Sequence, residues 1–358
     1  GIAWARAGAG GAWACVELLR TVDDKCQALF DNCFDVIDGP DAPDLDFVEL
    51  DEELIVFITN SVNSNNYKEA YLEYDNTIPQ PSYLDPNERN DSLYHFEGYQ
   101  IFQLKNASVS VESIHDPDLV RPVAQFDKAN GITRLINYYK DEDLGTLVPV
   151  EEVDGGDNGI RHSFRITEDQ FATGDRTLVN HKQYYYLALA YAYNEYMPFK
   201  IDEADPIFLY GQKKPYLAGR RNIQVYTAIP HKTVNGLEMN SDYGDQPQIT
   251  RLDGNGNGYL ALDFTEETVE EILSKKPVGS LNDEGEPIKI GDPEYPIAYN
   301  PVYKIGYGPL DVRVVDPLNV KDADYILKFT DVVYDSIKDS AKILSSKWQV
   351  IDQETGDV

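Results

Sequence analysis

The sequence predicts a mainly β protein organised around an antiparallel sandwich, and three observations predict it. Short runs rich in β-branched and aromatic residues recur from residue 46 to residue 232, bounded by Gly, Pro, Asn and Asp. No helical period separates those runs, which points to antiparallel pairing rather than to crossover units. The strongest run, QYYYLALAYAYN (183–194), carries five tyrosines and no charge over twelve residues, a composition suited to a strand.

Taken in order, the chain opens with residues 1–38, where Leu18, Leu19, Val22, Cys26, Leu29, Phe30 and Cys33 fall at helical spacings and predict a short amphipathic segment. The stretch DGPDAPDL (38–45) holds two prolines and a glycine and marks a domain boundary. Residues 39–232 then form the predicted sandwich, with β-type runs at DFVELD, ELIVFITN (53–60), LYHFEGYQIFQLKN (93–106), LVRPVAQFD, ITRLINYY, RHSFRIT and NIQVYTAIPHK (222–232). A polar insertion rich in Asn, Tyr and Pro interrupts them between 61 and 92. Tyr99, Ile101 and Phe102 are the expected core positions of the 93–106 run. Residues 233–358 read as a second β-rich domain, with strand-like runs at YKIGYGPLDVRVVD, DYILKFTDVVYDSI and KWQVID. It also holds one helix, with Thr265 as N-cap, Glu266 and Glu267 in the first turn and Lys275 and Lys276 in the last, signs that complement the helix dipole. A closing strand without a partner implies that this second domain is cut short, as in a piece of a longer polypeptide.

Composition bounds the function. The 62 acidic residues against 31 Lys and Arg leave a net charge of −31, which argues against binding to nucleic acid or to an anionic membrane surface. A hydrophobic content of 42%, with 25 Tyr and 13 Phe, is too high for an acidic disordered chain. No stretch reaches the roughly 18 apolar residues of a membrane span, so direct insertion is not expected. The start, GIAWARAGAGGAWAC, lacks the basic and apolar regions of a signal peptide. Cys15, Cys26 and Cys33 match no zinc spacing and are expected to be a local staple or buried thiols.

The middle region resembles a fibronectin type III domain. GPDAPDL is similar to that family's proline-rich start. Tyr186, Ala190, Ala192 and Asn194 match its strand F pattern, with Ala where Val is usual, and FEGYQIFQ resembles its strand C. Leu178 stands six residues before Tyr184, as the family's Leu precedes its corner tyrosine, so either Tyr184 or Tyr186 could make the corner hydrogen bond. The family's strand B tryptophan is absent, and Phe57 stands in that run. Together with ALFDNCF and RRNIQVYTAIP, these motifs look like the large secreted or surface-anchored proteins of gliding-type Bacteroidota, cargo of the type IX secretion route. That resemblance implies an extracellular or cell-surface location.

Candidate chemistry is sparse. In DGNGNG, Asp253, Asn255 and Asn257 occupy positions 1, 3 and 5 of a calcium loop, but position 12 is Phe264, with Asp263 one residue early. A Gly/Asn turn using positive φ is the favoured reading. The loop EEVDGGDNG offers Asp154 and Asp157 as further calcium ligands, against the simpler reading of a solvated turn. Calcium is thus the one cofactor that the sequence suggests. Tyr67, Tyr71 and Tyr74 stand at spacings of four and three. They are either an exposed face for glycan or protein contact or, the favoured reading, a stripe that packs a helix onto the domain. The five histidines are scattered and sit in no hydrolase motif, and 62 acids make carboxylate pairs undiagnostic. The expectation is therefore a non-enzymatic structural or adhesive module, partnered by other domains of the same polypeptide or by surface proteins and glycans. The alternatives are a carbohydrate-binding module, or an accessory region of a secreted hydrolase whose catalytic domain lies elsewhere.

Overall fold

The computed structural model describes residues 37–80, 89–141, 146–200, 211–233, 239–252, 262–334 and 343–356, with scattered helical positions between 12 and 30. The chain divides into two compact units, Gly1–Thr233 and Val234–Val358. It is mainly β, and its strand ladders are antiparallel.

Unit 1 is a two-sheet sandwich. Strand β1 (Asp44–Leu50) turns through Asp51 and Glu52 into β2 (Glu53–Thr59). Glu52 adopts φ 58°, and Asn180 clamps the turn by accepting from the Glu52 N–H at 2.9 Å and donating to Asp51 at 2.6 Å. The polar insertion follows as a 3₁₀ turn at Tyr67–Glu69 and a short strand β3 (Leu72–Tyr74). Strand β4 (Leu93–Leu104) is the central strand of the second sheet and pairs with β3 and with β5 (Val120–Asp127). A hairpin, β6 (Arg134–Asp141) and β7 (Thr146–Asp154), intervenes before β8 (Ser163–Ile166), which returns to the first sheet beside β2. Strand β9 (Tyr184–Tyr193) pairs with β4, and its other edge is shared by β10 (Tyr216–Ala218) and β11 (Val225–Ala228). The first sheet therefore runs β1-β2-β8, and the second runs from β10 and β11 through β9 and β4 to β3 and β5.

Side-chain size sets the fit between β4 and β9. Ile101 lies opposite Ala188, Tyr99 opposite Ala190 and Phe96 opposite Ala192, so each large side chain faces a methyl group. The small partners leave room for the Phe96 and Tyr99 rings, 4.8 Å apart, to meet Leu45, Leu54, Val56, Ile58, Phe164 and Ile166 of the opposing sheet. The alternate residues of β9 are covered as well. Leu187 and Leu189 pack with Phe102, Leu104, Val109 and Val120, and Tyr191 packs with Leu135, Val153 and Tyr216. A sheet buried on both faces explains why the 183–194 run is nearly continuous in apolar character instead of alternating.

The two tyrosines that compete for the corner have different fates. The Val179 N–H donates to the Tyr184 phenol oxygen at 2.9 Å, closing the link between β8 and β9 beside buried Leu178. Tyr186 instead stacks on Phe47 with centroids 5.4 Å apart, and its buried hydroxyl finds no hydrogen-bond partner among the described residues. Removing a bonded hydroxyl strands its partner, whereas removing an unpaired one strands nothing. Tyr184→Phe is expected to lower unfolding stability by about 1–3 kcal/mol, whereas Tyr186→Phe should be neutral or stabilising, as read from urea denaturation of the two variants.

In unit 2 the helix is present as α1 (Glu266–Leu273), with the Thr265 side chain accepting from the Thr268 N–H at 3.4 Å. It ends earlier than expected. Lys275 and Lys276 lie beyond Ser274, the C-cap, and Lys275 reaches back to Glu271 at 3.0 Å. Strands β12 (Tyr325–Tyr334) and β13 (Ile343–Asp352) form an antiparallel ribbon with Phe329 opposite Trp348. The run 303–316 is not a strand. Beyond the bridge of Tyr303 to Phe264 it is irregular among the described residues, because Gly306 takes φ +81° and Gly308 and Pro309 follow.

Candidate functional site

The residues singled out by sequence do not converge. Asp253, Asn255 and Asn257 lie outside the described residues. Asp263 gives its carboxylate to Lys304 Nζ at 2.7 Å. Asp154 closes β7 as an exposed residue, whereas the half-buried Asp157 accepts from the Asn130 and Gly131 N–H groups at 2.7 and 2.9 Å. Among the described residues, no three His, Cys, Asp or Glu side chains are grouped to hold a metal ion. Of the cysteines, Cys15 and Cys26 are free thiols, and Cys33 lies outside the described residues.

The tyrosines of the insertion do not share one face, because the segment folds as a 3₁₀ turn and a strand and not as the expected helix. Tyr71 is 3% exposed, belongs to the core and donates its hydroxyl to the Asp38 carbonyl at 2.5 Å. Tyr67 and Tyr74 remain exposed at 39% and 61%. The packing reading thus describes Tyr71, though the element is not a helix.

Two polar clusters that the motifs did not reveal lie in unit 1. In the first, Asn60 donates to the Tyr99 hydroxyl at 2.5 Å, that hydroxyl donates to Glu69 at 3.3 Å, and Glu69 meets His162 Nε2 at 2.6 Å. Glu69 and its neighbour Lys68 both take left-handed φ, 59° and 57°, conformations that cost about 1–3 kcal/mol each in non-glycine residues. The second cluster is built on a bulge in β4. The register shifts between Phe96 and Gly98, which turns Glu97 inward to 3% exposure. Its two carboxyl oxygens each accept from Asn130 Nδ2 at 2.9 Å. Asp127, also buried, accepts from the Asp157 N–H at 3.0 Å.

Burial, reinforced by Asp127 and Asp157, pushes the Glu97 carboxyl up to about 7, although Asn130 and Lys128 act the other way. A carboxyl whose folded pKa lies above its unfolded value costs stability once it is ionised, so the penalty grows from the ordinary carboxylate range up to about pH 7 and is constant above it. Glu97→Gln is expected to match the parent near pH 4 and to exceed its stability by about 2 kcal/mol above pH 7, measured by denaturant unfolding across that range. A gain that is the same at both ends would refute the assignment.

A hollow of about 540 Å³ lies between residues 107–111 and the segment from Arg220 to Val225. Val109, Val111, Leu187, Ile223 and Val225 are among the residues that line it, with Arg220 as the charged group. The sequence hint of the Glu97 cluster was a lone carboxylate inside the strand-like run FEGYQIFQ, next to a glycine. Compared with protein-family models, with curated proteins and with solved structures, the chain matches none of them.

Proposed function

We propose that this chain is a non-enzymatic scaffold segment, a fibronectin type III-like sandwich acting as a structural, spacer or adhesive module of a large extracellular or cell-surface protein. The observation that carries the reading is the strand order. Three strands, β1-β2-β8, face a sheet in which β9 lies between β4 and the paired edge of β10 and β11, with β5 on the far side of β4. Taking β10 and β11 together as one edge strand and β3 as an addition, this order supports a seven-stranded reading in which β8 is the E-type strand that returns to the first sheet. The Tyr184 hydrogen bond at the start of β9 supports the same reading. The β6–β7 hairpin and the 105–119 segment are additions that thicken the second sheet. A second sheet covered on both faces and a −31 charge suit a stable, soluble spacer.

Forced unfolding of the whole chain between reference domains tests the reading. A spacer should lose residues 39–233 in one cooperative rupture, releasing contour at about 3.6 Å per residue. Stepwise loss at low force, with β1-β2-β8 leaving separately, would contradict it. The glycan-binding alternative loses its central residue, since Tyr71 is buried.

A further inference from the structure

The geometry points to a self-modification site at Asn130–Gly131, where the Gly131 backbone nitrogen attacks the Asn130 side-chain carbonyl carbon, closing a succinimide and releasing ammonia. Three groups that would assist this reaction each contact a reacting atom. The Gly131 N–H points at Asp157 Oδ1 at 2.9 Å, which sets a carboxylate to take the proton from the attacking nitrogen. The Ile132 N–H donates to Asn130 Oδ1 at 3.0 Å, where negative charge develops as the carbonyl carbon becomes tetrahedral. Both oxygens of Glu97 lie 2.9 Å from Asn130 Nδ2, the atom that must leave with an added proton. Gly131 itself, at φ +89°, has open space where a side chain would stand, as Gly159 has at φ +84°, so side-chain crowding does not distinguish the two pairs and the polar partners do.

The atoms balance without an outside oxidant or reductant. The bond from Gly131 N to Asn130 Cγ forms as the Gly131 proton passes to Asp157, and the Cγ–Nδ2 bond breaks as Glu97 protonates Nδ2. Water then opens the five-membered ring to aspartate or isoaspartate. A Glu97 carboxyl held up to about 7 carries its proton over part of the neutral range, as a general acid requires. The product sets a new carboxylate beside Glu97 and Asp157 and removes the amide that bridged the β5–β6 turn to Glu97. The reaction is therefore a slow, one-way loosening of the junction between that turn and the 155–159 loop.

Peptide mapping by mass spectrometry of the whole folded chain, incubated at neutral pH, tests this with the Asn158–Gly159 pair as internal reference. Conversion at Asn130 is expected to be at least about tenfold faster than at Asn158, with isoaspartate among the products, and D157N and E97Q should each slow it by about a hundredfold. The amide oxygen that D157N introduces would still accept from the two turn N–H groups, so this variant removes the base while sparing the turn. Equal rates at the two pairs, or an unchanged rate in D157N, would overturn the proposal. Should a variant fail to fold, the parent chain in urea decides. There the Asn130 rate should fall to that of Asn158, and an Asn130 rate that holds or rises on unfolding would count against it.

Discussion

Gly98→Val is expected to be among the most damaging single substitutions in unit 1, lowering its stability by on the order of 4 kcal/mol or more. Gly98 sits in β4 directly between Tyr191 of β9 and Asp127 of β5. A Cβ at this position would lie 2.3 Å from the Phe126 carbonyl oxygen and 2.6 Å from the Tyr191 hydroxyl. The first of these is backbone held in the ladder and cannot swing aside. The second belongs to a fully buried ring packed 5.3 Å from Tyr216, so displacing it opens the cluster with Leu135 and Val153. Relief therefore requires β5 to detach or the hairpin cover to lift, and either exposes apolar surface at roughly 25 cal/mol per Å². Urea unfolding followed by tyrosine fluorescence should show the collapse. Even Gly98→Ala should show most of the loss, because the clash begins at Cβ. A valine variant within 1 kcal/mol of the parent would mean that β4, β5 and β9 are not neighbours in the described register.

Asp169→Ala is the second large loss, expected at about 3 kcal/mol. Asp169 is buried after β8, and its Oδ1 accepts from Gln103 Nε2 at 2.8 Å and from the Phe171 N–H at 2.9 Å. Its other oxygen takes Lys182 Nζ at 2.7 Å. Gln103 returns the link by accepting from the Gln170 N–H at 2.7 Å. One carboxylate thus ties β4 to the loop that carries the chain toward β9. Alanine leaves the buried Gln103 amide and the half-buried Phe171 N–H without this acceptor, which costs more than the bonds themselves contributed. Lys182 is half exposed and recovers its hydration, which caps the loss. Burial opposes the charge on Asp169, but the hydrogen bonds from Lys182, Phe171 and Gln103 outweigh it and hold the carboxyl below its ordinary value. The stabilisation is therefore present above the ordinary carboxylate range and is lost as pH falls through it, so the parent and Asp169→Ala curves should converge in acid.

Much of the sandwich was legible because strand signals are local. The runs at 53–60, 93–106 and 183–194 became β2, β4 and β9 with nearly the expected bounds, and Tyr99, Ile101 and Phe102 are core residues. What was not legible depends on which strands meet. The pairing of Ile101, Tyr99 and Phe96 with alanines appears only once the register of β4 on β9 is known. The choice between Tyr184 and Tyr186 rests on the path of the chain at Val179, which residue spacing left open. Tyrosines 67, 71 and 74 carried a helical period by coincidence, since left-handed Lys68 and Glu69 break any helix there. The run 303–316 had strand composition, yet its glycines and proline removed the pairing. The Glu97 cluster draws on β4, the β5–β6 turn and the β7–β8 loop, and such a convergence of distant segments leaves no contiguous motif.

The face-to-face packing of β1-β2-β8 on the β4–β9 sheet is tested most directly by nuclear Overhauser contacts between aromatic rings. Phe47 belongs to the first sheet and Tyr186 to the second, with ring centroids 5.4 Å apart. The described packing requires strong ring-to-ring cross-peaks between Phe47 and Tyr186, together with contacts of Phe126 to Phe164 at 5.3 Å. Cross-peaks confined to residues within each sheet, with none joining Phe47 to Tyr186, would contradict the sandwich and the scaffold reading built on it.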